Sequence, residues 1–186
     1  MHDGASHRGN PYDWALGLVE VSPLTPAEWP QLRITRLRAL RDSPDAFASE
    51  YQREHRWTKE QWLDMFQSAL WVVARSGGRV VGLARSLREP AQPLRRHVES
   101  VWVEPRFRRR GITRRLIEGL IERERGAGVN ELVIWVLQGN DHARRAYERL
   151  GFRPTGERQV LPGGAGRVEE RLLLRIDGRW RASESS

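Results

Sequence analysis

The sequence predicts an α/β domain with the element order strand, two helices, three strands, helix, strand, helix and two strands. Three observations support this class: capped amphipathic helices early in the chain, a β-rich group after residue 69, and later alternation of helices with strands. The 186 residues suit a single domain with a sizeable core. We expect this domain to span residues 15–178, between a disordered tail at 1–14 and a C-terminal tail at 179–186.

The first part of the chain carries the signals of one strand and two helices. The apolar run Leu16–Val21 predicts the first strand. A capping box formed by Thr25 and Glu28 begins the first helix, and Pro44 ends it because proline disfavours helical geometry in the preceding residue. A second capping box predicts another helix that begins at Thr58.

Strand signals dominate from residue 70 onward. Two β-rich segments, Leu70–Ala74 and Val80–Ala84, flank a Ser-Gly-Gly turn and predict a hairpin. Alternation over His97–Val103 predicts the next strand. The remaining predicted elements are a helix at Ile112–Glu124, a buried strand at Glu131–Leu137, a short helix at Asp141–Leu150, and two strands around Glu157–Leu161 and Glu169–Ile176.

Composition bounds the kinds of function that the chain can have. Without cysteine it has no disulfide, thiolate metal site or cysteine nucleophile, and its five histidines lack metal-ligand spacing, so we expect no metal. No apolar run suits a membrane span or a signal peptide, so we expect a cytoplasmic protein without a membrane partner. The net charge of +8 favours anionic partners. Because Lys59 is the single lysine, coding bias is an equally good explanation of the arginine excess, and we expect no nucleic-acid partner.

A basic turn joins the strand that ends at Val103 to the helix that begins at Ile112. Arg106–Arg110 and Gly111 precede the helix N-terminus, where unpaired N–H groups and the helix dipole attract anions. The arginines add charge-assisted hydrogen bonds, so the turn is suited to a pyrophosphate. A solvated charged surface is the alternative interpretation. The turn lacks the Gly-Lys-Ser/Thr of a Walker A loop and the three glycines of a dinucleotide fingerprint.

Two motifs resemble those of the GNAT acetyltransferases. Arg108-x-x-Gly111-x-Thr113 resembles the Arg/Gln-x-x-Gly-x-Gly/Ala coenzyme A motif of this family. A second motif, Asn-x-x-Ala-x-x-x-Tyr-x-x-x-Gly-Phe, runs from Asn140 to Phe152 and is similar to another conserved motif of the family. Thr113 departs from the pattern, because the family usually has Gly or Ala there and threonine is larger.

The resemblance, which is close over residues 97–153, implies both fold and function. It implies a mixed, mostly antiparallel sheet of about seven strands, splayed between strands 4 and 5, with a bulge in strand 4. It implies an N-acetyltransferase that moves the acetyl group of acetyl-CoA to a primary amine in a ternary complex; the alternative is a non-catalytic acyl-CoA-binding sensor. Dimers are common in the family, so a homodimer is compatible with the sequence. The implied cofactor-binding residues are Val101, Trp102, Val103, Arg108, Arg109, Arg110, Gly111, Ile112, Thr113, Arg114, Asn140, Ala143 and Tyr147.

The chemistry of acetyl transfer calls for an acid and a base near the thioester. The resemblance places Tyr147 beside the sulfur, where its phenol can protonate the departing thiolate; packing in the core is the alternative role. Glu99 is the candidate base for the ammonium group, and His97 shares its face of the strand. Either side chain can instead be a surface group. A backbone N–H of the splayed strand can stabilise the oxyanion.

The connection between the first two helices is the expected acceptor side of the site. In the family this connection commonly lines the acceptor site, and here it contains Trp57 and the segment Phe47–Tyr51. Glu50 and Glu54 are expected to attract a cationic acceptor, with exposed helix charges as the alternative. Four other tryptophans are expected in the core: Trp29, Trp62, Trp71 and Trp135.

Overall fold

The computed structural model describes residues 19–161 and 166–176, which form one seven-stranded sheet with helices on both faces. The predicted α/β class and strand number are confirmed. The strands are β1 (Val19–Pro23), β2 (Ala69–Ser76), β3 (Arg79–Glu89), β4 (Gln92–Val103), β5 (Glu131–Leu137), β6 (Arg153–Val160) and β7 (Val168–Arg175). The helices are α1 (Trp29–Asp42), α2 (Tyr51–His55), α3 (Lys59–Gln67), α4 (Ile112–Gly126) and α5 (Asp141–Arg149). Short 3₁₀ turns occupy Pro26–Glu28, Pro44–Ala46 and Pro105–Phe107.

The sheet has the strand order β1-β2-β3-β4-β5-β7-β6 and a single parallel pair, β4 with β5. These two strands are in register only where Arg95–Val98 lies beside Glu131–Ile134. The last five residues of β4, 99–103, have no partner in β5. The implied splay between strands 4 and 5 is therefore confirmed, and it leaves an opening between them.

A β-bulge lies in β4 at the point where it leaves β5. On β3, Ala84 alone stands opposite both Ser100 and Val101, because Leu83 pairs with Trp102 and Arg85 pairs with Glu99. Ser100 has φ of 57°, a left-handed backbone conformation that is uncommon for a residue with a Cβ atom. The bulge therefore ends the regular strand geometry beside the opening.

Each face of the sheet packs against its own helices. The amphipathic helix α4 and the short helix α5 cover one face, with Leu116, Leu120 and Phe152 fully buried among strand residues. Helices α1 and α3 cover the other face, where Leu32, Trp71 and Leu83 lie in a second cluster. At roughly 25 cal/mol per Å² of buried apolar area, these two layers supply the main stabilisation of the domain.

Most local signals led to the elements that they predicted. The capping box at Thr58 is present: its Oγ1 accepts from the Gln61 N–H at 3.4 Å, and its own N–H donates to the Gln61 side chain at 2.9 Å. At the first helix, the capping box at Thr25 begins a 3₁₀ turn, so the α-helix itself begins at Trp29. The strand Glu131–Leu137 has its predicted bounds.

Other elements differ from the prediction. Helix α2 was not predicted, because it is only five residues long. The β3–β4 hairpin extends well beyond the predicted strands because ion pairs accommodate its charged residues, such as Arg85 with Glu99 across the hairpin and Arg95 with Glu131 of β5 at 2.6 Å. The predicted tails, 1–14 and 179–186, and residues 16–18 of the predicted first strand lie outside the described residues. Among the described helices, none has the length and apolar composition that a membrane crossing requires.

Candidate active site

A cleft of about 530 Å³ opens where β4 and β5 diverge. This volume lies in the range of about 300–1,000 Å³ that is usual for small-molecule sites. Its walls come from β4, β5, α5, the segment between α1 and α3, and the edge formed by β6 and β7. Six of the sequence-predicted site residues line it: His97, Glu99, Val101, Asn140, Ala143 and Tyr147. Among the described side chains, no group of three or more potential ligands could hold a metal ion.

Tyr147 projects from α5 into the wall of this cleft. Its side chain is 7% exposed and packs edge-to-face on Phe152, with ring centroids 5.7 Å apart. Burial raises the pKa of the Tyr147 phenol far above its ordinary value, so the hydroxyl keeps its proton. Within residues 19–161 and 166–176, no group hydrogen bonds to this hydroxyl. The Tyr147 ring thus packs in the core, as the alternative interpretation held, and its hydroxyl is also free to donate a hydrogen bond into the cleft.

Asn140 occupies the N-cap of α5. Its side-chain Oδ1 accepts a hydrogen bond from the backbone N–H of Ala143 at 3.1 Å. Asparagine suits this position because its oxygen pairs with one of the N–H groups that have no partner in the first helical turn. The capping role explains the residue locally, and its amide N–H₂ group remains available to a ligand in the cleft.

The basic turn before α4 contains two residues in the left-handed backbone conformation. Gly111 is the N-cap residue of α4 with φ of 72°, and Arg109 has φ of 60°. A Cβ atom on Gly111 would meet nothing within 4 Å, so glycine is favoured there by the left-handed conformation and not by crowding. The N–H groups of the next three residues, Ile112–Arg114, have no carbonyl acceptor in a preceding helical turn. An exposed, positively charged helix start of this kind fits a phosphate group.

Two predicted cofactor residues in this region use their side chains elsewhere. Arg108 donates to the Val103 carbonyl oxygen at 2.9 Å and to the Asp42 carboxylate. The indole N–H of Trp102 also donates to Asp42, at 2.9 Å. These contacts join the basic turn to the end of α1, so the side chains of Arg108 and Trp102 already have partners within the protein.

The carboxylate at the centre of this network is held in its charged form. Partial burial raises the pKa of Asp42, but the hydrogen bonds from Trp102 and Ser43 and the charge of Arg108 outweigh it and leave the pKa below its usual value. Three other predicted residues have contacts within the protein. Ile112 is buried at the start of α4, the guanidinium carbon of Arg110 lies 5.8 Å from the Phe107 ring centroid, and Arg114 pairs with Glu118 at 2.8 Å.

The two base candidates line the cleft from the same strand, as predicted, but their surroundings differ. Glu99 is ion-paired with Arg85, whose guanidinium lies over the Trp71 ring. Burial lowers the pKa of His97, and the negative charges of Glu99 and Glu89 offset part of this effect. His97 is therefore a neutral imidazole at physiological pH, whereas the Glu99 carboxylate is already paired with a cation.

The segment in which we expect the acceptor site contributes Phe47, Ser49 and Trp57 to the lining of the cleft. The expectation for Glu54 was wrong. Its side chain is completely buried, because α2 turns it inward to form an ion pair with Arg36 at 2.8 Å, and it cannot attract a substrate from solvent. Of the four tryptophans expected in the core, Trp62 and Trp71 are buried, Trp29 is half-buried, and Trp135 is half-buried and lines the cleft.

Arg36, Arg85 and Ser100 are among the residues that line the cleft without having been predicted to do so. Arg36 and Ser100 are 64 positions apart in the chain and are joined by a hydrogen bond. Arginine is so frequent in this sequence that neither Arg36 nor Arg85 stands out by type. The left-handed conformation of Ser100 has no signature in its residue type.

Comparison with known proteins agrees with this geometry. N-alpha-acetyltransferase RimI of Mycobacterium tuberculosis is 38% identical over 92 residues, which are 48% of this chain and 55% of that protein. The chain thus spans about half the length of the curated relatives it matches. A GNAT-family acetyltransferase from Streptococcus pneumoniae superposes with a TM-score of 0.73 at 15% identity, over 86% of this chain and 99% of that one. The structure of yncA from Salmonella typhimurium with its cofactor acetyl-CoA has a TM-score of 0.69 at 18% identity, over 90% and 99%.

The structural matches are too distant in sequence to establish more than the fold, but the sequence profile of one family covers most of the chain. Residues 36–152 match the acetyltransferase (GNAT) family. The matched region contains α4, α5, the splayed strands and both motifs that resembled this family. The chain therefore belongs to the acetyltransferase (GNAT) family.

Proposed function

We propose that this protein is an N-acetyltransferase that transfers the acetyl group of acetyl-CoA to a primary amine within a ternary complex. One observation carries the proposal: the cleft at the β4–β5 splay is lined by a protonated phenol, a neutral imidazole and a carboxylate, those of Tyr147, His97 and Glu99. A proton donor and a proton acceptor around one space suit a reaction that needs both.

The residues present fit the coenzyme. The basic turn and the start of α4, together residues 108–114, would hold the pyrophosphate with their backbone N–H groups. The turn is exposed, and Gly111 has no side chain to keep a phosphate from the backbone. The end of β4 that has no partner in β5, Val101–Val103, would offer backbone groups on that side to the pantetheine arm. Asn140 and Ala143 would contact the arm from the start of α5. When bound, acetyl-CoA supplies the acetyl thioester.

Acetyl transfer forms one nitrogen–carbon bond and breaks one carbon–sulfur bond, while the ammonium group loses two protons. The second passes to the departing thiolate after the new bond has formed, and the first has to be removed before the amine can attack. We assign the removal of that proton to His97, because its neutral imidazole can accept it directly or through water. Glu99 remains part of the base: its charge stabilises the imidazolium that forms, while Arg85 holds the carboxylate in place. In this assignment the two predicted candidates act together.

Tyr147 acts at the other side of the reaction, beside the sulfur. Because burial raises the pKa of its phenol far above the value of about 8.5 that is typical of a thiol, complete proton transfer to a thiolate would be uphill. We therefore propose that the hydroxyl donates a strong hydrogen bond to the departing sulfur. Hydrogen bonds to charged groups contribute about 1.5–3 kcal/mol.

The protonation state of His97 also bears on the acceptor. A base whose pKa lies below about 6.5 can deprotonate an α-ammonium, with a pKa of about 8, more readily than a lysine ammonium near 10.4. The printed name of the matched relative, N-alpha-acetyltransferase, also refers to an α-amine. We therefore propose a substrate with a free α-amino group, such as a peptide N-terminus.

The test is a turnover assay that detects thiol release from acetyl-CoA. The acceptors are a short lysine-free peptide with a free N-terminus and a matched peptide with a blocked N-terminus and one lysine. We expect turnover with the first peptide and at least about tenfold less with the second, in keeping with the larger pKa gap. If acetyl-CoA raises the melting temperature but no amine in a broad panel releases thiol, the protein is a binding module and the proposal fails.

A further inference from the structure

A buried arginine joins three segments of the chain next to the cleft. Arg36, in the middle of α1, is 3% exposed. Its Nε and Nη2 donate to the two carboxylate oxygens of Glu54 in α2, at 3.0 and 2.8 Å. Its remaining nitrogen, Nη1, donates to the Ser100 hydroxyl oxygen in β4 at 3.0 Å. One guanidinium thus connects both helices to the bulge.

The residue at the far end of this contact is held in an unfavourable conformation. Ser100 adopts φ of 57°, which residues with a Cβ atom avoid, and it lies in the bulge where β4 has already left β5. The strand ladder therefore does not fix this backbone from both sides. The hydrogen bond from Arg36 restrains Ser100 on the side where β5 offers it no partner.

The same guanidinium also contacts the acceptor side of the cleft. It lies over the Phe47 ring, with its central carbon 4.6 Å from the ring centroid, and Phe47 lines the cleft. Glu54, the other partner, lies in α2 within the expected acceptor segment. Arg36 therefore contacts both the acceptor wall and the strand along which acetyl transfer is proposed to occur.

We propose that Arg36 is a positioning residue that holds the Ser100–Val101 bulge in its catalytic conformation and makes this conformation depend on the docking of α2. The inference rests on the proposed function, because the bulge borders the space between His97 and Tyr147. A bulge that relaxes would shift the backbone groups of Val101, and a displacement of about 1 Å at a reacting centre can cost about a hundredfold in rate.

Stability alone does not account for a buried ion pair at this place. Replacing both members of such a pair by apolar residues is often neutral or stabilising, whereas removal of one member is strongly destabilising. The chain offers a matched pair for comparison. Arg96 in β4 and Glu124 in α4 are also buried and 2.9 Å apart, on the α4 face of the sheet, and neither lines the cleft.

The experiment compares the double variants Arg36→Met/Glu54→Met and Arg96→Met/Glu124→Met with the wild type. Melting temperature, the shift of that temperature by acetyl-CoA, kcat and KM for both substrates are measured. For the first double variant we expect kcat to fall about 10- to 100-fold, with KM for acetyl-CoA within about twofold of the wild type and the thermal shift retained. For the second we expect all kinetic values within about twofold.

A third variant separates positioning from general loosening. Ser100→Gly is added to the Arg36→Met/Glu54→Met background, because glycine adopts a positive φ without the steric cost of a Cβ atom. We expect this change to restore kcat at least severalfold. A purely structural role for the pair would not produce such a rescue.

Several outcomes would overturn the inference: an unchanged kcat in the first double variant, an equal loss in both double variants, or no rescue by glycine. The wild-type protein tests the proposed function separately. If it shows no turnover with any amine, the proposed function fails, and amide hydrogen exchange at Ser100 and Val101 becomes the readout. Faster exchange in the first double variant alone still supports positioning of the bulge, and equal exchange contradicts it.

Discussion

Two buried clusters, each made of an arginine, a glutamate and a serine, lie beneath helices on opposite faces of the sheet. Under α1 and α2, Arg36 pairs with Glu54 and donates to Ser100. Under α4, Glu124 pairs with Arg96 and accepts a hydrogen bond from the Ser86 hydroxyl. Both clusters bridge a strand to a helix, and all six side chains are buried.

The backbones around the two serines differ. Ser86 sits in regular β3, paired with Leu70 on one side and Val98 on the other. Ser100 sits in a bulge with a left-handed backbone and lines the cleft. The same three side-chain types therefore join strand to helix at one place and constrain a strained segment of the candidate site at the other. Buried polarity indicates function only where it coincides with strain and access to a cavity.

The largest expected effect is the loss of stability when one member of either buried ion pair is removed. Arg36→Met leaves Glu54 buried without its arginine, and Arg96→Met does the same to Glu124. Each substitution should therefore lower the free energy of unfolding by about 3–5 kcal/mol. We expect the larger loss for Arg36→Met, since Glu124 keeps the hydrogen bond from Ser86. Urea unfolding of both variants measures this, and an equal or reversed order would contradict the interpretation.

Tyr147→Phe tests the chemistry proposed for the cleft, and its expected effect, a loss of kcat, is smaller in free energy. Loss of a hydrogen bond to a departing thiolate, about 1.5–3 kcal/mol, should lower kcat about 10- to 150-fold. The melting temperature should stay within about 2 °C, because phenylalanine keeps the packing against Phe152 and the described residues leave the hydroxyl without a partner. Steady-state kinetics under saturating substrate provide the measurement, and unchanged turnover would exclude Tyr147 from the chemistry.

Local patterns predicted the scaffold well, and the reason is physical. Capping boxes and helical periodicity act within a few residues, so the start of α3 at Thr58 and the bounds of β5 could be predicted from the sequence. The motifs also predicted that Tyr147 and Asn140 would reach one site. Both residues line the cleft, while their contacts with a ligand stay predictions.

The parts that could not be predicted depend on tertiary contacts. The ion pair of Arg36 with Glu54 needs α2, a helix too short for periodicity to indicate. The resemblance implied a bulge in strand 4, but its place at Ser100 depends on strand register, and the hydrogen-bond partner of Ser100 lies 64 positions earlier in the chain. Neither feature leaves a pattern in neighbouring residues. Sequence reasoning therefore predicted the site's location but not the network that shapes it.

The smallest expected effect concerns the pH dependence of stability on the cleft side. Burial lowers the pKa of His97 in the folded state, while the charges of Glu99 and Glu89 raise it and those of Arg171 and Arg85 lower it further. Because the unfolded chain has the ordinary value of about 6.5, it binds more protons than the folded protein just below that pH. The wild type should therefore lose stability as pH falls from about 6.5 towards the folded pKa, and no such loss should occur above 6.5.

Comparison of His97→Gln with His142→Gln sharpens this prediction, since His142 is exposed on α5 and is not among the residues that line the cleft. Urea unfolding at pH 7.5 and pH 5 should give a smaller stability difference for His97→Gln than for the wild type, while His142→Gln should keep the wild-type difference. An equal slope in all three proteins would mean that His97 takes up its proton as readily in the folded state as in the unfolded chain. In that case it would no longer be the neutral base that the cleft is proposed to hold, and Glu99 alone would have to accept the proton of the amine.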